Sequence, residues 1–176
     1  MSKDIRLKKG LNIHLLGEAD KVYASIPKAK NFSIKPTDFH SLIPKMLVKE
    51  GDKVKAGSCL FIDKYNEQIR FSSPVSGSVT EIVRGAKRRI MEVKICADSE
   101  ISYESFSYDI NSSRDEITEG LLESGVWPFI RQKPFDIIAN PSDKPKAIFI
   151  SSFDTAPLSP DNDFVLHGLD ELFQKG

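Results

Sequence analysis

The chain has 176 residues, 40% of them apolar and 28% charged, and its 25 basic and 25 acidic side chains cancel to a formal net charge of zero. Such a composition suits a globular protein of one domain or one and a half, and it gives no global attraction to nucleic acid or to an anionic membrane. No run approaches the ~18 apolar residues of a membrane span, and the N-terminus has no apolar stretch of signal-peptide length, so a cytoplasmic protein is expected.

Residues 1–100 are rich in short strand-like runs punctuated by turns. Lys45–Val48 reads as a strand, and Glu50-Gly51-Asp52 as a tight turn in which glycine supplies a positive φ. Val54 and Gly57 follow, then a two-faced strand at Leu60-Phe61-Ile62, a hairpin tip at Lys64-Tyr65-Asn66 and a returning strand at Ile69-Arg70-Phe71. Ser73-Pro74-Val75-Ser76-Gly77 is a second turn and Val79–Val83 the next strand. Met91, Val93 and Ile95 alternate with Glu92 and Lys94, which predicts one buried and one wet face. Many short strands between Gly/Pro turns predict a sandwich or barrel. Cys59 and Cys96 have no CxxC or metal-like spacing and read as free thiols packed in strands.

Residues 101–176 change character. Ser113-Arg114-Asp115-Glu116 is a capping box, in which serine and glutamate each satisfy a free N–H at a helix start. Ile117, Leu121 and Leu122 share a face of that helix, and Gly125 is its C-terminal cap. After the turn-rich Asn140–Pro145, the apolar run Ala147-Ile148-Phe149-Ile150 predicts a strand buried on both faces, as in a parallel sheet. Val165, Leu169, Leu172 and Phe173 again have helical spacing, and that pattern is still running at Gly176, which implies a longer domain. The expected fold class is α+β, a β-rich domain over residues 1–100 followed by the beginning of a Rossmann-like α/β domain over 101–176.

Two sets of motifs carry more. Gly51-Asp52-Lys53-Val54-Lys55-Ala56-Gly57 with Leu60, followed by Ser73-Pro74-Val75-Ser76-Gly77-Ser78-Val79, resembles the two halves of the biotinyl/lipoyl pattern, "GDxVxxGxxL" and "(A/S)PxxGxV". The glycines sit at turns, the valines and leucine fill a small core, and Pro74 fixes φ where a strand begins. This implies a barrel-sandwich hybrid and speaks to fold more than to activity. A carrier domain of that kind holds its modified lysine between residues such as two methionines. Here the tip reads Asp63-Lys64-Tyr65-Asn66-Glu67, so Lys64 is read as a solvated hairpin lysine, with a swinging-arm carrier as the alternative.

The second set runs the length of the chain. Lys8-Lys9-Gly10-Leu11, Arg84-Gly85-Ala86-Lys87-Arg88, Ser124-Gly125-Val126-Trp127 with Arg131-Gln132-Lys133-Pro134-Phe135, and Ala147–Leu158 are similar, in order, to "KKGL", "RGxKR", "SGLWxxxRxRPF" and "AIFVTAxDTxPL" of the A subunits of sodium-pumping NADH:quinone reductases. That family's chain is considerably longer. The resemblance implies a peripheral component on the cytoplasmic face of the membrane, partnered by the other subunits of a redox pump. It implies a chain with no cofactor of its own, with NADH, FAD, FMN and iron–sulfur in its partners, and with an association to the quinone end of the electron path. Related subunits of Rnf complexes and complex I bind flavin on a glycine-rich loop. Bulky and proline residues stand between Gly125 and Phe135 instead, which argues against FMN here.

Candidate sites follow. Trp127, Phe129 and Phe135, with Arg131 among them, could stack on a flat quinone ring and donate to its carbonyl oxygen, or dock a partner. The plainer reading makes the aromatics core and pairs Arg131 with a carboxylate. Asp154 and Thr155 lie just past the expected buried strand, where ligands bind in open α/β sheets; otherwise they cap a turn. Arg84, Lys87, Arg88 and Arg89 form a compact basic turn that could meet headgroups or an acidic partner, or be a solvated hairpin. Aromatic interleaving is missing, so nucleic acid is not an expected partner. His14, His40 and His167 are scattered, which excludes a zinc-like pattern. No catalytic triad order, P-loop or GxGxxG is present. A stand-alone, non-redox binding scaffold is a further alternative.

Overall fold

The computed structural model describes residue 16 and residues 20–107, 109, 111–150 and 159–175. The chain divides into two compact units, one of residues 27–144 and one of residues 1–26 with 145–176.

The larger unit begins with β1 (Asn31–Ile34), β2 (Pro44–Met46), β3 (Lys53–Val54), β4 (Cys59–Asp63), β5 (Arg70–Ser72), β6 (Gly77–Arg84) and β7 (Ile90–Ala97). They form two antiparallel sheets, ordered β1-β7-β6-β3 and β2-β4-β5. The core lies between them. Leu60, Phe61, Val79, Val93 and Ile95 have lost essentially all solvent contact, and each such side chain contributes about 1.5–3 kcal/mol over leaving it exposed. Phe61 stacks on Phe71 with ring centroids 4.7 Å apart.

The expected turns take the expected backbone. Gly51 and Gly57 have φ of +92° and +99°. At Gly77 φ is not the constraint: a Cβ there would land on the Cys96 carbonyl, so the β6–β7 backbones approach only because the residue is glycine. Ser76, fully buried, accepts from the Ser102 N–H at 2.9 Å and so ties the second turn to the segment after β7.

One face assignment is corrected. Val93 and Ile95 point inward as expected, but the third inward residue of β7 is Ile90, and Met91 is exposed. The β6–β7 register shifts between Val83↔Glu92 and Arg84↔Ile90, which leaves Met91 as the extra residue of a bulge and breaks the alternation. The cysteines are free and lie in strands, but only Cys59 is partly covered; Cys96 is exposed on β7, and burial raises the Cys59 thiol pKa.

After the sandwich, α1 (Arg114–Glu123) opens on the full capping box. The Ser113 N–H donates to Glu116 at 2.8 Å and the Ser113 hydroxyl accepts the Glu116 N–H. It closes on a Schellman motif: Gly125, with φ +76°, donates to the Leu122 carbonyl and Val126 donates to that of Leu121. Leu122 and Trp127 belong to the same hydrophobic cluster as the sheet residues. A short hairpin follows, β8 (Arg131–Gln132) with β9 (Ile137–Ile138).

The smaller unit holds two further corrections. The run 147–150 forms no strand, and Ile148, Phe149 and Ile150 are 74%, 92% and 87% exposed. A strand buried on both faces needs neighbours to pair with, and among the described residues none pairs with it. The last helical pattern is also not one helix. It is α2 (Asn162–Leu166) and α3 (Asp170–Lys175), parted at Gly168, whose φ is +76°. Within this unit Tyr23 stacks on Phe164 at 4.7 Å and donates to its carbonyl, and Lys21 pairs with Asp161.

Candidate functional site

The aromatic–basic segment is built by the short helical turn Trp127–Phe129 and the β8–β9 hairpin. Trp127 turns inward. It is 8% exposed, and its indole N–H donates to the Ala139 carbonyl at 2.7 Å, so its ring packs instead of being presented. Phe129 and Phe135 point outward, 73% and 71% exposed.

Arg131 stands between these two behaviours. Its guanidinium donates to the Asp136 carbonyl at 2.8 Å and meets the Asp136 carboxylate at 3.4 Å. It also lies 5.9 Å from the centroid of the Phe39 ring, a cation–π distance. Lys133 holds the other Asp136 oxygen at 2.8 Å, and the two cations, with Lys133 dominant, keep the Asp136 carboxyl below its usual pKa. Phe39 then continues inward, edge-on to Phe71 at 4.9 Å, and outward to Phe129 at 6.3 Å. The outcome is a ladder Phe61–Phe71–Phe39–Phe129 running from core to surface, with Arg131 against its outer part. Phe39 escaped notice in the sequence because it lies about ninety residues from the segment it supports and belongs to no motif.

The basic turn joins β6 to β7. Arg84, Lys87, Arg88 and Arg89 are all exposed, and none makes an ion pair among the described residues. Lys87 and Arg88 have φ of 54° and 59°, and the Arg89 N–H closes the turn on the Ala86 carbonyl at 3.2 Å. Positive φ at both central residues is the pattern of a type I′ turn, which normally takes Asn-Gly. Here two β-carbon-bearing cations occupy it.

At the hairpin tip Lys64 is exposed, held by its backbone N–H on the Ile43 carbonyl at 2.8 Å. Asp154 and Thr155 lie outside the described residues. Among the described residues no three of His, Cys, Asp and Glu are grouped so as to hold a metal ion, and no helix is long and apolar enough to cross a membrane.

Two family models match this chain. That of the NqrA N-terminal barrel-sandwich hybrid domain covers residues 5–98, and that of the NqrA second alpha/beta domain covers residues 112–176. The chain belongs to the NqrA family. The expected fold class, a barrel-sandwich hybrid followed by an α/β domain, is the NqrA arrangement. Similar curated relatives are the Na(+)-translocating NADH-quinone reductase A subunits of Neisseria meningitidis serogroup A, 36% identical over 98% of this chain, and of a Marinomonas species, 34% identical over 97%. That of Pseudomonas aeruginosa is 32% identical over 98%. The NqrA-family chain described here spans 39–40% of the length of these relatives.

Proposed function

We propose that the chain is the front part of the A subunit of a sodium-translocating NADH:quinone reductase and works there as a cofactor-free docking module. The complex would carry electrons from NADH to a quinone and export sodium. NADH, FAD, FMN and iron–sulfur would sit in the partner subunits, and this chain would lie peripherally on the cytoplasmic face of the membrane. Its β-rich part is assigned to residues 1–100 and its α/β part to 101–176.

The observation that carries this reading is the match of 97–98% of the chain to relatives that all bear the name of this reductase component. The geometry supports docking over chemistry. Phe129 and Phe135 offer exposed rings on the segment whose Arg131 guanidinium is already positioned by Asp136 and Phe39. Aromatic and arginine side chains of this kind are the usual anchors of an interface. The same set could receive a flat quinone ring, because Arg131 has five N–H donors and Asp136 occupies one terminal nitrogen. Asp154 and Thr155 remain part of the proposed contact surface on their sequence alone.

The test is a Phe129→Ser/Phe135→Ser double variant. Both rings are exposed, so the fold should keep its Tm. Recovery of flavin-bearing subunits with the tagged variant should fall about tenfold, as expected when interface anchors worth ~1–2 kcal/mol are removed. Unchanged recovery would take this surface out of the interface.

A further inference from the structure

Beyond Val79, no described strand lies beside the outer edge of β6. β3 pairs only Lys53 with Ser78 and Val54 with Gly77, and the turn before it reaches Val79 through Gly51 and Asp52. Among the described residues, β6 is paired from Glu81 to Arg84 on one side alone, to β7. On the open side the Ile82 N–H is met by a side chain: it donates to Glu50 Oε1 at 2.8 Å. An open groove of about 570 Å³ follows this edge, walled by Met46–Glu50 on one side and by Ile82 and Arg84 on the other. Leu47 lines it and is exposed.

Charge says what the groove fits. Lys49 and Arg84 stand at it, and the Lys87–Arg89 turn continues from Arg84 along the same hairpin. None of these five cations is in an ion pair among the described residues. Of the local carboxylates, Glu81 is paired with Lys94 at 2.8 Å, while Glu50, which lines the groove, and Asp52 accept the Ile82 and Lys49 N–H groups and keep their charge. Glu92, across from Val83, is the remaining one.

We propose that the open β6 edge takes an extended acidic segment of a partner polypeptide as an added strand. Its backbone lies along Ile82–Arg84, its apolar side chains pack on Leu47 and Ile82, and its carboxylates meet Lys49, Arg84 and the Lys87–Arg89 turn. Strand addition draws affinity from main-chain hydrogen bonds and specificity from alternate side chains, and here the added strand would replace Glu50 at the Ile82 N–H. A concave edge with backbone groups suits a peptide better than a layer of lipid headgroups. The inference rests on reading the chain as a docking module, and it names the kind of partner segment that docks.

The experiment places p-benzoylphenylalanine at Leu47 in cells that make the whole complex, with the same probe at exposed Tyr65 as control. After irradiation the complex is purified and the adduct sequenced by mass spectrometry. The Leu47 probe should join an acidic, extended stretch of another protein of the complex, and the Tyr65 probe should not. The Arg84→Glu variant should cut that adduct about tenfold, the effect of removing a charge-assisted contact and opposing it. A Leu47 adduct with phospholipid or with a segment lacking carboxylates, or no adduct while flavin-bearing subunits still co-purify, overturns this inference and leaves the docking role intact. Loss of co-purification without any probe overturns both.

Discussion

Gly125 shows how one residue can serve two structural needs. It ends α1 with a left-handed φ, and Ser72 of β5 packs so close that a Cβ there would fall inside contact with the serine side chain. Gly51 has a similar φ, +92°, but nothing within 4 Å of its would-be Cβ. The pair separates backbone strain from crowding. Gly51→Ala should cost about 1–2 kcal/mol, the conformational penalty alone, and Gly125→Ala should cost about 2–4 kcal/mol once crowding against Ser72 is added. Urea unfolding of the two variants checks this difference. Both glycines were legible in the sequence as turn and cap, because φ is a local property. The Ser72 contact was not, since β5 and the end of α1 are far apart along the chain. Arg131 was legible only as an alternative between ligand contact and carboxylate partner, and Asp136 lies five residues on, across a turn no pattern announces.

At the scale of elements, capping chemistry read most directly. Ser113→Ala removes the acceptor for the Glu116 N–H and should cost about 1 kcal/mol near neutral pH. The Ser113 N–H, then its hydroxyl, hold the Glu116 carboxyl below its ordinary 4.5. A lowered pKa gives stability that is present above the ordinary value and lost as pH falls through the folded one. The gap between wild type and Ser113→Ala should therefore narrow in acid, which urea unfolding along a pH series measures. The β6–β7 turn offers a test of opposite sign. Left-handed φ costs an L-residue ~1–2 kcal/mol, so Lys87→Asn/Arg88→Gly should stabilise the chain by about 1 kcal/mol or more by thermal unfolding. The same variant should co-purify less of its partners, because it removes two of the cations proposed to meet the partner's carboxylates. Bulges escaped the sequence: alternation of Met91, Val93 and Ile95 was the simplest pattern, and only pairing with β6 shifts Met91 outward. The 147–150 run was legible as apolar but not as unpaired, since burial depends on strands elsewhere.

For the whole molecule, the β-sandwich was the most legible part, because its glycines and small core are spaced by local turn geometry. The family was legible from matches in order along the chain and not from any constellation of reactive groups. The role proposed for this chain is to dock redox subunits while carrying no cofactor of its own. The direct test is recovery of the tagged protein from native membranes, with intact-mass analysis of the recovered chain. Co-purification with flavin-bearing membrane proteins is expected, together with a mass equal to that of the unmodified polypeptide. Recovery alone or with soluble enzymes, with extra mass on Lys64, would contradict the claim and establish a swinging-arm carrier instead.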